Sequence, residues 1–351
     1  MLILSDFDYD LPKELIAQEA LPDRGKARLL VLDKTTGEIK HNFFHQCVDY
    51  FEKGDVLVLN NTKVLPARFF GKKETGGQVE VLLLKEVSET ESKNGEVWEA
   101  LLKPGGRLKE GQTILFNRFT ARVLDLPQQN SGIRRIAFEK GVNVREQIGK
   151  IGRIPLPPYI DREDLAIDRE LYQTVYARVP GSVASPTAGL HFDETLLREL
   201  EKKGVEIVFV TLHVGYGTFQ PVATENLSAH SMHPEYFEIP EESAEKINMA
   251  KSDGRRIIAC GTTSVRTLET ASIDRIPAEV KAARGFTNLF IFPPYEFKIV
   301  DAIITNFHLP RTTLLMLVAA FCRKENLDRA YQEAIQQKYR FYSYGDAMLI
   351  L

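Results

Sequence analysis

Residues 255–271 read RRIIACGTTSVRTLETA: an apolar run, one glycine, then a polar stretch. The run RRIIAC predicts a strand and TTSVRTLETA a helix, with Gly261 permitting the tight turn between them. A strand that passes through a glycine into a helix is the building unit of α/β folds. The helix start carries Thr262, Thr263 and Ser264. Their hydroxyls and the free backbone N–H groups of a first helical turn favour an anion, a carboxylate or a phosphate. The plainer reading is that Thr263 or Ser264 caps the helix. Arg266 and Glu269 lie three apart on one helix face and are spaced to pair.

Outward from this segment the same texture recurs. Asp193 predicts an N-cap for ETLLRELEKK, with Gly204 as its stop. VEIVFVTLHV follows as a buried strand, and Pro240 opens a helix that runs to Lys251. DAIITNF reads as a strand and TTLLMLVAAF as a helix buried on most faces, while residues 28–33 and 55–60 supply earlier strands. Such alternation predicts a largely parallel sheet. Three strands run into polar clusters: residues 211–218, residues 261–264 with Arg266, and residues 306–311. Ligands gather at the carboxyl ends of parallel strands, where loops and helix starts converge. Residues 172–192, YQTVYARVPGSVASPTAGLHF, add a fourth polar loop, broken by Pro180, Gly181, Pro186 and Gly189. Ordered loop of that kind is spent where something is gripped.

Between these parts the texture changes. From residue 67 to residue 153 the chain holds six short β-rich runs: ARFFGKK, QVEVLLLKEV, VWEALLK, QTILF, TARVLDL and IRRIAFE. Turn signals separate some of them, so a small barrel or sandwich is expected. With mixed α/β sequence on both flanks, this is an inserted domain. The expected divisions are residues 1–66 and 154–351 for a large α/β domain and 67–153 for the insert. A chain of 351 residues fits two domains.

Charge follows the same boundary. The insert carries 16 Lys+Arg and 11 Asp+Glu, a balance of 16 − 11 = +5, against (45 − 16) − (48 − 11) = −8 for the remainder. A basic segment in an acidic chain suggests a local surface for an anionic partner, or else a solvated basic face. Three unpaired cysteines, Cys47, Cys260 and Cys322, fit a reducing compartment. The longest apolar run, residues 313–321, is too short to span a bilayer, and MLILSDFDYDLP lacks the basic start of a secretory signal. A cytoplasmic protein is expected. GxxxxGK[ST], GxSxG and a complete GxGxxG are all missing, which disfavours an ATPase, a serine hydrolase and a dinucleotide enzyme. His230, His233 and Glu235 have a metal-like spacing but no third strong ligand nearby and no HExxH, so no metal is expected.

The blocks FDYDLPKELIAQ, GDVLVLNNTKVLPAR, IPLPPYI, YQTVYA, PTAGLHF, TLHVGYGTFQPV, HSMHPE, GTTSVRTLE, TNFHLPRTTLLMLV and YRFYSYGDAMLI run in one order over nearly the whole length. Through them the chain resembles the S-adenosylmethionine:tRNA ribosyltransferase-isomerases of queuosine biosynthesis. Departures are small: Pro294 for a usual Gly, Thr312 for a common Ser and Cys260 for a common Val. The resemblance implies a large mixed α/β, barrel-like domain with an inserted small β-barrel. It implies transfer and isomerisation of the ribosyl moiety of S-adenosylmethionine onto a 7-aminomethyl-7-deazaguanine of tRNA, giving an epoxycyclopentanediol and releasing adenine and methionine. No metal or cofactor is implied; S-adenosylmethionine is a consumed substrate, the partner is a tRNA anticodon stem-loop, and a monomer is expected.

That chemistry needs a base at the 5′-methylene, an acid at the departing adenine and fixed groups for developing charge. Either His213 or His191 is assigned as base, with the other as donor or positioner, and His308 completes the set. Gly261, Thr262, Thr263, Ser264 and Arg266 are assigned to the methionine carboxylate. Asn306, His308 and Arg311 are assigned to the ribose or the incoming nucleotide, and Thr187, Gly215 and Gly217 to the remainder of the donor. Tyr172, Tyr216 and Phe219 are candidates to stack on a base, with core packing as the alternative. On the insert, Lys103, Arg107, Lys109, Arg134 and Arg135 are assigned to tRNA.

Overall fold

A computed structural model describes residues 2–87, 95–105, 108–125, 132–215, 217, 222 and 224–351. The chain forms two compact units. One comprises Met1–Lys63, Pro157–Arg162 and Glu170–Leu351; the other comprises Val64–Leu156 and Glu163–Arg169.

The first unit is organised by a nine-stranded sheet. From edge to edge its strands are Ala283–Thr287, Glu235–Ile239, Glu206–Leu212, Val56–Asn60, Ile257–Cys260, Ala302–Asn306, Ala347–Ile350, Arg28–Leu32 and Ile39–Phe43. The four strands from Glu206–Leu212 to Ala302–Asn306 are mutually parallel. Both flanks turn antiparallel, so parallel order is confined to the middle and one pair beyond it, Arg28–Leu32 with Ala347–Ile350. Side chains alternate between two cores, as the strand period requires. Val56, Val58, Val208, Val210 and Ile303 pack on one face; Leu57, Leu59, Ile258 and Ile304 pack on the other. Burial on both faces explains why these strands read as continuous apolar runs rather than alternating ones.

The helices follow their sequence signals. Glu194–Lys203 starts at Asp193, whose carboxylate accepts the Leu196 N–H at 2.7 Å, and ends at Gly204 with φ +90°. Thr313–Cys322 is capped by Thr312, which therefore does the work a serine would do there. Gly261–Thr270 follows directly on Ile257–Cys260, with Gly261 at φ +85° making the corner. Glu269 is not paired with Arg266. Its buried carboxylate accepts the N–H groups of Lys298, Ile299 and Val300 at 3.0, 3.0 and 3.2 Å, and desolvation pushes its pKa up.

The second unit is a closed six-stranded antiparallel barrel, one strand from each of the six predicted runs. Phe69, Val81, Trp98, Ile114, Ile136 and Phe138 fill it. The helix Val144–Ile151, capped by Asn143, adds Val144 and Ile148 to the same core.

One buried amide ties the middle of the large sheet together. Asn60 Nδ2 donates to the Leu212 carbonyl at 3.0 Å and Thr263 Oγ1 at 3.1 Å, while Oδ1 accepts the N–H groups of Leu212 and Thr62 at 3.0 and 3.1 Å. Asn60→Ala leaves those buried groups without partners and is expected to lower stability by about 2–4 kcal/mol. Urea unfolding measures it; an unchanged midpoint would remove Asn60 from this role.

Candidate functional site

The carboxyl ends of the parallel strands open on one cleft in the first unit. It comprises about 740 Å³ of unfilled space, open solvent included. Gly261, Thr262, Thr263 and Arg266 line it from the strand Ile257–Cys260 onward, and Thr305, Asn306, Phe307 and His308 from Ala302–Asn306 onward. Val214 comes from beyond Glu206–Leu212. Ser185 and Thr187 come from the polar loop, and Tyr159, Tyr342 and Ser343 complete the wall. The three strand-end clusters and the fourth loop thus share one cavity.

Four polar atoms on this wall are buried without a hydrogen-bond partner among the described residues: Tyr172 Oη, Ser185 Oγ, Asn306 Oδ1 and Arg266 Nη2. Buried polar groups are otherwise almost always satisfied, because leaving one unmatched costs about 1–3 kcal/mol. Their convergence in one cleft is the mark of a ligand site. Asn306 is oriented by its other end, with Nδ2 donating to the Tyr342 carbonyl at 2.9 Å and meeting His191 Nε2 at 3.2 Å. Oδ1 is therefore an acceptor awaiting a donor.

The three histidines separate. His308 lines the cleft, with Nε2 2.9 Å from Thr305 Oγ1. Its backbone is clamped between two phenols: its N–H donates to Tyr331 Oη at 2.9 Å and its carbonyl accepts from Tyr9 Oη. Burial lowers its pKa to about 3. His191 does not line the cleft. It sits behind Asn306 with its ring 4.9 Å from that of Phe44, and burial, then Arg24 and Arg340, lower its pKa to about 3. With Nε2 facing the Asn306 amide, His191 is placed to orient that amide. His213 also lies off the cleft wall. Its Nδ1 is 2.7 Å from Thr62 Oγ1, its ring stacks on Tyr236 at 5.4 Å, and desolvation lowers its pKa.

Other expected site residues are placed as follows. Thr187, Gly261, Thr262, Thr263, Arg266 and Asn306 line the cleft, and so does Tyr172. Ser264 does not: its hydroxyl donates back to the Cys260 carbonyl at 2.7 Å. Gly215 gives its N–H to Glu235 Oε1 at 2.8 Å, and Gly217 abuts His233. Arg311 is half-exposed outside the cleft and pairs with Glu225 at 3.2 Å. Tyr216, Thr218 and Phe219 lie outside the described residues, as does Arg107. Tyr159, Ser185, Phe307, Tyr342 and Ser343 line the cleft beyond the expected site residues. The aromatic density of YRFYSY was the available signal for two of them.

The barrel corrects one assignment, that of Arg134. Arg134 is 2% exposed, and its guanidinium donates to the Leu108 carbonyl at 2.6 Å and the Gly105 carbonyl at 2.8 Å. It props a loop and is not presented to a partner. Arg135 is neutralised by Asp125 at 2.7 Å. Lys103 and Lys109 are exposed. Glu235 is engaged by Arg266 and Gly215, and among the described residues no cluster of three or more His, Cys, Asp or Glu could hold a metal.

Comparison with known proteins agrees with this architecture. The family model described as "Queuosine biosynthesis protein" matches residues 4–350. An S-adenosylmethionine:tRNA ribosyltransferase-isomerase of Natranaerobius thermophilus is 49% identical over 350 residues, covering 99% of each chain. That of Acetivibrio thermocellus is 50% identical over the same shares. A crystal structure of the S-adenosylmethionine tRNA ribosyltransferase of Thermotoga maritima is 39% identical, covers 99% of this chain and 100% of that one, and superposes with a TM-score of 0.56.

Two buried neutral histidines make stability fall in mild acid. The unfolded chain binds protons on them from the ordinary value of 6.5 downward, while the fold resists to about 3. Their stabilisation is full above pH 6.5 and is lost as pH falls toward 3, at up to about 1.4 kcal/mol per pH unit for each. His308→Gln is expected to flatten this slope between about pH 6.5 and pH 5, where carboxylates contribute little. Unfolding midpoints across that range measure it, and an unaltered slope in the variant would contradict it.

Proposed function

The chain belongs to the queuosine biosynthesis family, and from that premise we propose that it is a S-adenosylmethionine:tRNA ribosyltransferase-isomerase. It moves the ribosyl unit of S-adenosylmethionine onto the aminomethyl group of a 7-aminomethyl-7-deazaguanine in tRNA. Isomerisation yields epoxyqueuosine-tRNA with release of adenine and methionine. Full-length identity near one half to relatives of that name supports the reading most directly. The cleft with its four unmatched polar groups supports it independently. S-adenosylmethionine is consumed, and no metal or cofactor takes part. The enzyme acts as a cytoplasmic monomer; no helix among the described residues is long and apolar enough to cross a membrane.

Within the cleft, His308 is the base. It is the one histidine of the three that lines the cleft, and its imidazole is neutral at physiological pH, so it is placed to meet the 5′-methylene beside the sulfonium. The phenols of Tyr159, Tyr172 and Tyr342 have pKa values raised by burial and stay protonated. They supply donors for the departing adenine and aromatic faces for the sulfonium. Asn306 Oδ1 accepts from a ribose hydroxyl or an amine, and Gly261, Thr262 and Thr263 meet the carboxylate with Arg266. Lys103 and Lys109 contact the tRNA backbone, and Arg107 joins them as a candidate from its sequence position.

Incubation with S-adenosylmethionine and tRNA bearing the deazaguanine precursor is expected to give free adenine, free methionine and a ribosyl-sized mass gain on the tRNA. Adenine release without RNA modification would reduce the protein to a hydrolase and defeat the reading. In the same assay His308→Gln is expected to lower kcat on the order of 10²–10⁴-fold. His213→Gln should stay within a few-fold of the parent, and the reverse ranking would return the base to His213. Lys103→Glu with Lys109→Glu should weaken tRNA binding and reduce its salt slope by roughly two. An unchanged slope would move the RNA surface elsewhere.

A further inference from the structure

The cleft contains one guanidinium whose hydrogen bonds are incomplete in a specific direction. Arg266 is 4% exposed. Its Nε donates to the Leu289 carbonyl at 3.0 Å and its Nη1 to a carboxylate oxygen of Glu235. Its Nη2 has no partner among the described residues. A guanidinium is a rigid planar fork, so fixing Nε and Nη1 fixes where Nη2 points. Glu235 is itself held in place. It is buried at the start of the strand Glu235–Ile239, which is paired on both sides, and its other oxygen accepts the Gly215 N–H at 2.8 Å. The carboxylate is therefore set by the sheet before it sets the arginine.

A second donor group meets Arg266 on the same wall. Gly261, Thr262 and Thr263 line the cleft at the start of the helix Gly261–Thr270, whose N-cap residue, Cys260, makes no side-chain cap. Free N–H groups and the positive end of the helix favour a negative guest. The Arg266–Glu235 pair is neutral overall, so Nη2 offers direction more than net charge. Together these donors suit a planar carboxylate taken from water.

We infer that Glu235 is a positioning residue: it aims Arg266 Nη2 at the carboxylate of the methionyl portion of the donor. This rests on reading S-adenosylmethionine as the donor. Glu235 touches no substrate atom and acts through Arg266. An RNA phosphate has related chemistry, but the near-complete burial of Arg266 favours the end of a small molecule over a group carried on a polymer chain.

The test compares binding of S-adenosylmethionine with its decarboxylated analogue, S-adenosyl-3-methylthiopropylamine, by calorimetry. The unaltered protein is expected to prefer S-adenosylmethionine by at least about tenfold, the scale of one charge-assisted hydrogen bond. Glu235→Gln keeps the acceptor for Gly215 but removes the charge that holds Arg266. It should shrink that preference toward unity, raise KM for S-adenosylmethionine about tenfold and leave kcat within threefold, as expected for lost binding remote from the reacting atoms. A purely structural role would weaken both ligands equally and keep the preference, which overturns the inference. Should Glu235→Gln not fold, Glu235→Asp keeps the charge but withdraws it by one methylene, and the same shrinkage is required of it. Weakened tRNA binding with unchanged donor preference would assign the anion to an RNA phosphate and also overturn the inference. If the unaltered protein binds neither sulfonium compound, the donor assignment itself fails, a result distinct from equal binding of both.

Discussion

The structure depends on four parallel strands ending together, and the Asn60 amide is the interaction that holds two of those ends and the following helix in register. It sits where a strand buried on both faces runs out of apolar sequence. Each of its hydrogen-bonding directions is used within the protein: the Leu212 backbone on one side, Thr263 on the next element, and Thr62 in its own chain. A buried amide so fully satisfied has one stable orientation, which makes it a rivet and not a flexible contact. The position of Thr263, and with it the start of the helix Gly261–Thr270, follows from that rivet. The polar cleft can form because the apolar sheet interior stops there along a defined line.

Asn306 gives the contrast. It ends a neighbouring region of the same sheet and is just as buried, but only its Nδ2 is matched; its Oδ1 is left at the cleft. Two asparagines at the ends of parallel strands thus divide structural from ligand-facing work according to whether their partners lie in the chain. Arg266 Nη2 and Ser185 Oγ belong with Asn306. Such groups are a standing cost to the fold unless a ligand or water meets them. A protein with a fully satisfied amide two strands away has the means to avoid that cost, so its persistence here points to use.

Much of this was legible in the sequence because it follows from local rules. The Asp193 cap, the Gly204 stop, the Gly261 corner and the six barrel runs all depend on residues close together in the chain. Placement of functional side chains depends on distant partners instead. Arg266 reads as a partner for Glu269 by helix spacing, yet it reaches Glu235, 31 positions away, while Glu269 turns to three backbone N–H groups. His213 looks equivalent to His308 in composition of its surroundings, and only the packing of Thr62 and Tyr236 separates them. Arg134 is a different kind of miss. In IRRIAF it is in phase with Ile136 and Phe138, so strict alternation already places it inside the barrel, and the pattern in the structure runs that way. The attraction of a basic pair outweighed the period of the strand.

Burial also fixes which acid–base chemistry the cleft can perform. Desolvation acts in opposite directions on the two kinds of group in its wall. It lowers the His308 imidazole to about 3 and raises the phenols of Tyr159, Tyr172 and Tyr342. At neutral pH both kinds are therefore uncharged, the imidazole with a lone pair to use and the phenols with protons to give. A neutral base and neutral acids held close together require no compensating charges, and they leave the cation of a sulfonium donor facing no like charge from a protonated histidine. The charges of Arg266 and Glu235 cancel within their pair. A cleft built this way stabilises charge as it develops during reaction through donors and acceptors fixed in advance, Arg266 Nη2 and Asn306 Oδ1 among them.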